Sequence, residues 1–493
     1  MDLSEIRQEL DCLDSELCRL FARRMDLSAL VAASKAETGR PIYDAAREAQ
    51  KLESISEQLP PAYAQSGKEL YQTLFRLSKQ RQSELCRLRC GLLGRRLGHS
   101  YSPAIHAKFA PYRYTLFEKE PQELEEFLKS GSFDGLNVTM PYKKAVVPFC
   151  AELSEAARRT GSVNTLVRRS DGTLYGANTD VGGFACMLRM SGVPVAGKKA
   201  LIFGSGGAAC AVKEALRQMG AEPVIVVSRS GENNYGNLCR HRDADLLVNA
   251  TPLGMSPELL SSPCSLESYV NLSAVFDVVY NPSKTALIQK AEQLGIPAFG
   301  GLSMLVAQAK LSSELFTGSS ISDALISPIL SEIERNSRNI VLIGMPGCGK
   351  SSLGKQLADR LNRPFFDSDQ ELEKQFAMPM SEYWRQHGEA AFRKAERDML
   401  CKLCSRSGAV IATGGGSVTV PDALTLLRAN SFVIWIKREL CKLPIQGRPL
   451  SQTVSAEELY RSRASLYASA ADADVQNDGD LSQTLESILE VLP

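Results

Sequence analysis

Leu3, Ile6, Leu10, Leu13, Leu17 and Leu20 recur at alternating spacings of three and four residues. This period of about 3.5 predicts a long helix with a narrow apolar seam for a neighbouring helix. The seam resumes at Leu27 and Val31 but is broken by Arg24. An arginine in an apolar stripe calls for an anionic partner or ligand. Lys35 falls further along the same face, whereas Arg7 points about a quarter-turn away. A turn at Gly39-Arg40-Pro41 precedes Asp44, Arg47 and Glu48, and Asp44 and Glu48 share a helical face. A third helix is expected from about Glu69 to Arg89. The helical pattern gives way near Cys90-Gly91, and the polar stretch Ser331 to Asn339 makes a second break. The chain thus divides into a helical segment (1–90), a central α/β segment (91–335) and a C-terminal α/β segment (336–493).

A chain of 493 residues suits about three domains. Lys and Arg number 57 against 56 Asp and Glu, so no electrostatic footprint for nucleic acid or an anionic membrane is expected. No apolar run approaches the ~18 residues of a membrane span, and Met-Asp-Leu-Ser-Glu at the start lacks the apolar stretch of a signal peptide. The 13 scattered Cys read as reduced thiols of a cytoplasmic protein. Cys401 and Cys404 form a lone C-x-x-C, for which helix packing is a better account than a metal site.

The apolar run Ile340 to Ile343 leads into Gly344-Met-Pro-Gly347-Cys-Gly349-Lys350-Ser351-Ser352 and then a helical pattern. Strand, glycine loop, Lys-Ser and helix are the parts of a P-loop. Its backbone N–H groups surround phosphates, Lys350 reaches the β/γ oxygens of ATP, and Ser351 can hold Mg²⁺. In the central segment, the strand ending at Gly204 is followed by Gly206, Gly207 and Ala208 at the start of a helix. A second strand ends at Ser228-Arg229. This is a βαβ dinucleotide pattern of Rossmann type, and Arg229, where an acid would favour NAD, suits the 2′-phosphate of NADP. About fifteen residues separate Arg229 from the strand at Asp245, too few for a helix-plus-strand unit, so the cofactor sheet is expected to lack a strand.

Larger constellations carry three resemblances. Arg7, Arg24, Lys35, Asp44, Arg47 and Glu48 together resemble the all-helical chorismate mutase family. In that family two chains interlace and the first arginine serves the partner's site, which implies a homodimer through the N-terminal helices. Cations there fix the substrate carboxylates, and Lys35 would stabilise charge on the breaking ether oxygen. The family also has a Gln or Glu on the last helix; the register puts that position on Cys86, with Gln82 one turn earlier. On spacing alone, a non-catalytic dimerisation or ligand-sensing module is the alternative.

Seven ordered blocks across about 91–330 resemble shikimate dehydrogenase. They are His99-Ser100-Tyr-Ser102-Pro, Asn137-Val-Thr139-Met-Pro-Tyr-Lys143, Ser162-Val-Asn164, Asn178-Thr-Asp180, Asn249-Ala-Thr-Pro-Leu-Gly, Asp277-Val-Val-Tyr280-Asn-Pro and Gly301-Leu-Ser-Met-Leu-Val-Ala-Gln308. The resemblance implies that Ser100 and Ser102 bind the substrate carboxylate and that Thr139, Asn164 and Gln308 contact hydroxyls. It places Tyr280 at the substrate and Gly301 at the cofactor, with Lys143 and Asp180 as the catalytic pair.

Asp367-Ser-Asp369, Phe392-Arg393-Lys-Ala-Glu396, Gly414-Gly415-Gly416, Gly447-Arg448-Pro and Arg463 resemble shikimate kinase from about 339 to 493. Asp367 would serve Mg²⁺ with Ser351, and Asp369 would orient the acceptor hydroxyl. Arg393 and Arg463 would fork a carboxylate, Gly415 would lie against the ring, and Arg448, on a lid, would neutralise the moving phosphoryl group. The expected architecture is therefore multidomain: an all-α module, an α/β dehydrogenase with a substrate lobe and a Rossmann-type NADP lobe, and an α/β P-loop kinase.

Overall fold

The computed structural model describes residues 2–37, 45–98, 100–443 and 455–493. Three helices lead: α1 (Leu3–Glu37), α2 (Ala45–Gln58) and α3 (Ala64–Arg87). On α1 the apolar seam is exposed within one chain, from Leu3 through Leu20, and Leu27 and Val31 are exposed as well. Ala29, Ala32 and Ala33, small residues of the C-terminal part of α1, are buried instead, and α1 packs there against the helix Ser102–Phe109.

By its contacts the chain forms two compact units. The first holds the three helices and a mixed six-stranded sheet. Its strands are β1 (Arg89–Gly94), β2 (Arg113–Glu118), β3 (Gly135–Val138), β4 (Glu152–Leu153), β5 (Thr165–Arg168) and β6 (Leu174–Ala177), in the order β2-β1-β3-β5-β6-β4. β3 and β6 run antiparallel to β5. The helix Leu302–Thr317 belongs to this unit from Ser303 onward, and Phe316 fills the space left by Gly135 of β3.

The second unit holds two parallel five-stranded sheets. One comprises β7 (Ala200–Phe203), β8 (Val224–Val227), β9 (Leu246–Asn249), β10 (Ala274–Asp277) and β11 (Ala298–Phe299), in the order β11-β10-β9-β7-β8. Between β8 and β9 the chain makes only turns and the short 3₁₀ segment Tyr235–His241, so β8 ends the sheet. The other comprises β12 (Asn339–Ile343), β13 (Phe365–Asp367), β14 (Val410–Ala412), β15 (Ser431–Lys437) and β16 (Ala473–Gln476), in the order β13-β14-β12-β15-β16. β12 lies at its centre, and every one of its residues is buried. The stretch expected as a polar break before β12 is largely helical: Ile326–Ser337 is one amphipathic helix, with Ile329 and Ile333 buried a turn apart.

Candidate active sites

The turn after β3 carries Lys143, and the helix Asp180–Ser191 begins with Asp180. Lys143 Nζ donates to Asp180 Oδ2 at 2.6 Å, with side-chain exposures of 19% and 8%. Asn164 completes the pair. Its Oδ1 accepts from the Thr179 backbone N–H at 2.7 Å, and its Nδ2 donates to Asp180 Oδ1 at 2.8 Å. Because the amide oxygen is held by Thr179, the amino group has to face the carboxylate. Gln308 reaches the same amide at 3.5 Å from the helix Leu302–Thr317. Lys143, Asp180, Asn164 and Gln308, far apart in sequence, thus converge in the first unit. Ser100 and Ser102 stand at the start of the helix Ser102–Phe109, where Ser102 N–H donates to Ser100 Oγ. Thr139 follows β3 directly, its N–H bonded to Leu93 O. Tyr280 and Gly301 belong to the second unit.

In the second unit, β7 ends at Gly204, whose φ is +111°. A Cβ at Gly204 would lie 2.8 Å from Ala250 O, whereas at Gly206 it would meet nothing within 4 Å. Gly206 therefore leaves open space just ahead of the helix that starts at Gly207 and continues through Ala208, a cradle that fits a pyrophosphate. Ser228 and the exposed Arg229 follow β8, the Ser228 N–H donating to Asn233 O.

The P-loop joins β12 to the helix Lys350–Leu361 and turns through positive φ at Gly344, Gly347 and Gly349. Lys350 is buried, its Nζ donating to Gly344 O and Met345 O at 2.9 and 3.0 Å. Ser351 Oγ donates to Asp367 Oδ2 at 2.5 Å. Two hard oxygen donors side by side fit Mg²⁺, which binds few protein ligands directly and keeps water on the rest. Asp367 also caps the helix Ser368–Phe376 through the backbone N–H groups of Asp369 and Gln370. A cavity of about 600 Å³ is lined by the P-loop (including Gly347, Gly349 and Ser352), Asp367, Asp369, Arg393, Gly415 and Arg463. The glycine at 415 is required by its own protein: a Cβ there would stand 2.5 Å from Pro346 of the P-loop. Its carbonyl accepts from Arg463 Nη1 at 3.1 Å and from the Tyr467 hydroxyl. Glu396 pairs with Arg393; burial pushes its carboxyl above the usual range, and the charge of Arg393 opposes the shift. Glu396, Trp384 and Arg438 also line the cavity and received no role from sequence. For Glu396 the signal was its place three residues after Arg393.

In the helical module Arg24 Nη1 donates to Ser78 Oγ at 2.6 Å and to Leu74 O, and its guanidinium lies over Phe75. Its protein partners are thus neutral groups of α3. Burial lowers its pKa. One turn beyond Ser78, Gln82 is buried and its Oε1 has no hydrogen-bond partner. Cys86 is exposed. Of the two positions that the register offers for the last helix's donor, Gln82 thus lies among the buried residues of α3 with Ser78 and Leu85, and Cys86 does not. Glu48 pairs with Lys79 of α3 at 3.2 Å. Arg7 and Arg47 are exposed and Lys35 is half-buried. Asp44, His99 and Arg448 lie outside the described residues. Cys404 sits in the core of the C-terminal sheet, and Cys401 Sγ donates to Pro257 O.

A lysine–carboxylate pair in one α/β lobe, a dinucleotide cradle in another and a P-loop cavity lined by Arg393 and Arg463 define a multidomain metabolic enzyme. Comparison with known proteins narrows this. Residues 6–83 match the family model for chorismate mutase type II, 92–166 that for the shikimate dehydrogenase substrate binding domain, and 346–493 that for shikimate kinase. The "Shikimate dehydrogenase (NADP(+))" of Caldanaerobacter subterraneus subsp. tengcongensis is 34% identical over 255 residues, 46% of this chain and 91% of that protein. The protein of the same name from Symbiobacterium thermophilum is 37% identical over 262 residues, 46% of this chain and 88% of that one. The chain belongs to the shikimate dehydrogenase family, and it carries chorismate mutase and shikimate kinase domains on either side. Among solved structures, a chorismate mutase/shikimate 5-dehydrogenase fusion protein from Clostridium acetobutylicum is similar at 35% identity with a TM-score of 0.48, over 50% of this chain and 97% of that one.

Proposed function

We propose that one chain performs three reactions. Residues 91–335 reduce 3-dehydroshikimate to shikimate with NADPH, residues 336–493 phosphorylate shikimate to shikimate 3-phosphate with ATP and Mg²⁺, and residues 1–90 rearrange chorismate to prephenate. The observation that carries the reading is the Lys143–Asp180 pair, held by Asn164 beside Gln308.

In the dehydrogenase, bound NADPH supplies the hydride. Lys143 gives a proton to the carbonyl oxygen that becomes the hydroxyl, and Asp180 orients the ammonium. Ser100 and Ser102 hold the carboxylate, while Thr139, Asn164, Gln308 and Tyr280 fix the ring. Gly204, Gly206, Gly207, Ala208, Ser228, Arg229 and Gly301 form the cofactor's bed. In the kinase, Asp369 orients the acceptor hydroxyl and Arg393 and Arg463 hold the carboxylate near Gly415. Gly347, Gly349, Lys350 and Ser352 bind phosphates, Ser351 and Asp367 hold Mg²⁺, and Arg448 offsets charge on the phosphoryl group. In the mutase, Arg24, Lys35, Asp44, Arg47 and Glu48, with Gln82 as the added donor, form a site that Arg7 of a second copy completes. The exposed leucine seam of α1 supports that homodimer. It also supports the second reading, a module that only dimerises the chain or senses a ligand. The three substrates are small molecules, and the reduced-thiol reading favours the cytoplasm.

Purified full-length protein is expected to oxidise shikimate with NADP, and Lys143→Ala to abolish this nearly completely while sparing phosphoryl transfer from ATP to shikimate. Unchanged oxidation in that variant refutes the role of Lys143. Chorismate consumed in step with prephenate formation, and lost in Lys35→Ala, supports the third activity; absence of turnover favours the assembly reading.

A further inference from the structure

A buried hydrogen-bond network lies behind the dehydrogenase pair. At one end the Tyr114 phenol donates to Asn137 Oδ1 at 2.8 Å. Asn137 Nδ2 donates to Ser312 Oγ at 2.7 Å. Ser312 Oγ in turn lies 3.0 Å from Thr165 Oγ1 and 3.1 Å from Thr179 Oγ1, and it donates to Gln308 O at 2.9 Å. Thr165 and Thr179 both bond Asn164, which holds Asp180. Ser312 is fully buried, as is Thr165, and Asn137 is 5% exposed.

A hydroxyl has one proton to give and two lone pairs to fill. Ser312 gives its proton to Gln308 O and accepts from Asn137 and from one of the threonines, so its capacity is fully used. Among the described residues, the Ser312 hydroxyl is the side chain that bonds Asn137, both threonines and the Gln308 carbonyl together. Nothing in its role requires contact with substrate. We infer that Ser312 is a positioning residue for the dehydrogenase, locking Asn164 and through it Asp180 in place. This rests on the dehydrogenase reading above.

In full-length Ser312→Ala, kcat for NADP-linked shikimate oxidation falls about tenfold, because a small misplacement of a catalytic group slows chemistry far more than binding. KM stays within about twofold, and the isotope effect on kcat with shikimate deuterated at the carbon that yields the hydride rises as chemistry becomes limiting. Shikimate phosphorylation by the same preparations stays at the parent level. A wild-type kcat and isotope effect in Ser312→Ala overturns the proposal. So does a loss of kcat with an unchanged isotope effect, which marks a smaller folded fraction and a purely structural serine. If the parent chain itself fails to oxidise shikimate with NADP, it is the dehydrogenase reading that falls.

Discussion

Asp277 at the end of β10 shows how one residue's surroundings set its chemistry. Burial pushes its carboxyl up to about 6, against the opposing hydrogen bonds of the Thr285 hydroxyl, the Val279 N–H and the Asn249 amide. An unfolded aspartate titrates near 3.9. Between about pH 4 and 6 the folded protein therefore binds more protons at this site than the unfolded chain, so the site's contribution to stability falls as pH rises through that window. Asp277→Asn removes this dependence. The variant's stability relative to the parent should rise between pH 4.5 and 7 by on the order of 2 kcal/mol, read from denaturant midpoints at the two pH values. A constant difference would mean that Asp277 titrates normally in the fold. The Lys143–Asp180 contact depends on a neighbour in the same manner, since the Asn164 amide is oriented by the Thr179 backbone before it meets the carboxylate.

At the scale of elements, the packing of α3 decides which of its side chains are buried. Ser78, Gln82 and Leu85 are its buried positions, and Cys86 is turned outward. If chorismate turns over, Gln82→Ala should reduce kcat by about 10²-fold, the usual effect of removing a single electrostatic contact to a developing charge. Cys86→Ala should leave the rate within about twofold, and the reverse pattern would put the donor at Cys86. On α1 the leucine seam and the buried alanines do separate work: Ala29, Ala32 and Ala33 pack within the chain, and Leu10 and Leu13 stay exposed. Substituting both leucines with glutamate should convert a dimer to a monomer in size-exclusion chromatography with light scattering, because a buried unpaired carboxylate at a helix interface is strongly disfavoured. An unchanged mass would remove the seam from the interface. The stretch Ser331 to Asn339 reads as a polar break because most of its residues are polar; the helix Ile326–Ser337 that overlaps it buries Ile329 and Ile333 one turn apart, too few apolar positions to stand out in sequence.

At the scale of the whole molecule, the second unit joins two sheets that the sequence presents as separate enzymes. Leu259, from the segment after the Asn249 block, is fully buried in the hydrophobic core of the C-terminal domain. Gln289 Nε2 donates to Thr425 O at 3.0 Å, Lys284 N–H to Ala429 O at 2.9 Å, and Ser256 Oγ to Ser405 O at 3.1 Å. The cofactor lobe and the kinase therefore share a core residue and a set of backbone acceptors. Leu259→Ala should destabilise both by about 2–5 kcal/mol. On heating, shikimate oxidation and shikimate phosphorylation should be lost together at a lowered temperature; a shift in only one of them would show that the two lobes unfold independently.

Local patterns were enough to reveal the βαβ glycines, the P-loop, the period of α1 and the residue blocks around Lys143, Asp180, Asp369 and Arg463, because each depends on residues close in sequence whose backbone geometry or periodicity is set locally. The short path from Arg229 to Asp245 likewise foretold that β8 would end its sheet, since a helix and a strand need more chain than that. Tertiary structure decided the rest. Ser312 looks like any helical serine until Asn137, Thr165 and Thr179 meet it from three strand ends. Gly415 is one of three successive glycines in sequence, and only the fold brings Pro346 against it. That Gln82 is buried and Cys86 exposed is settled only once α3 is packed in the fold. Each of these depends on contacts between segments distant in sequence, and such contacts obey packing and hydrogen-bond satisfaction, which no local period encodes.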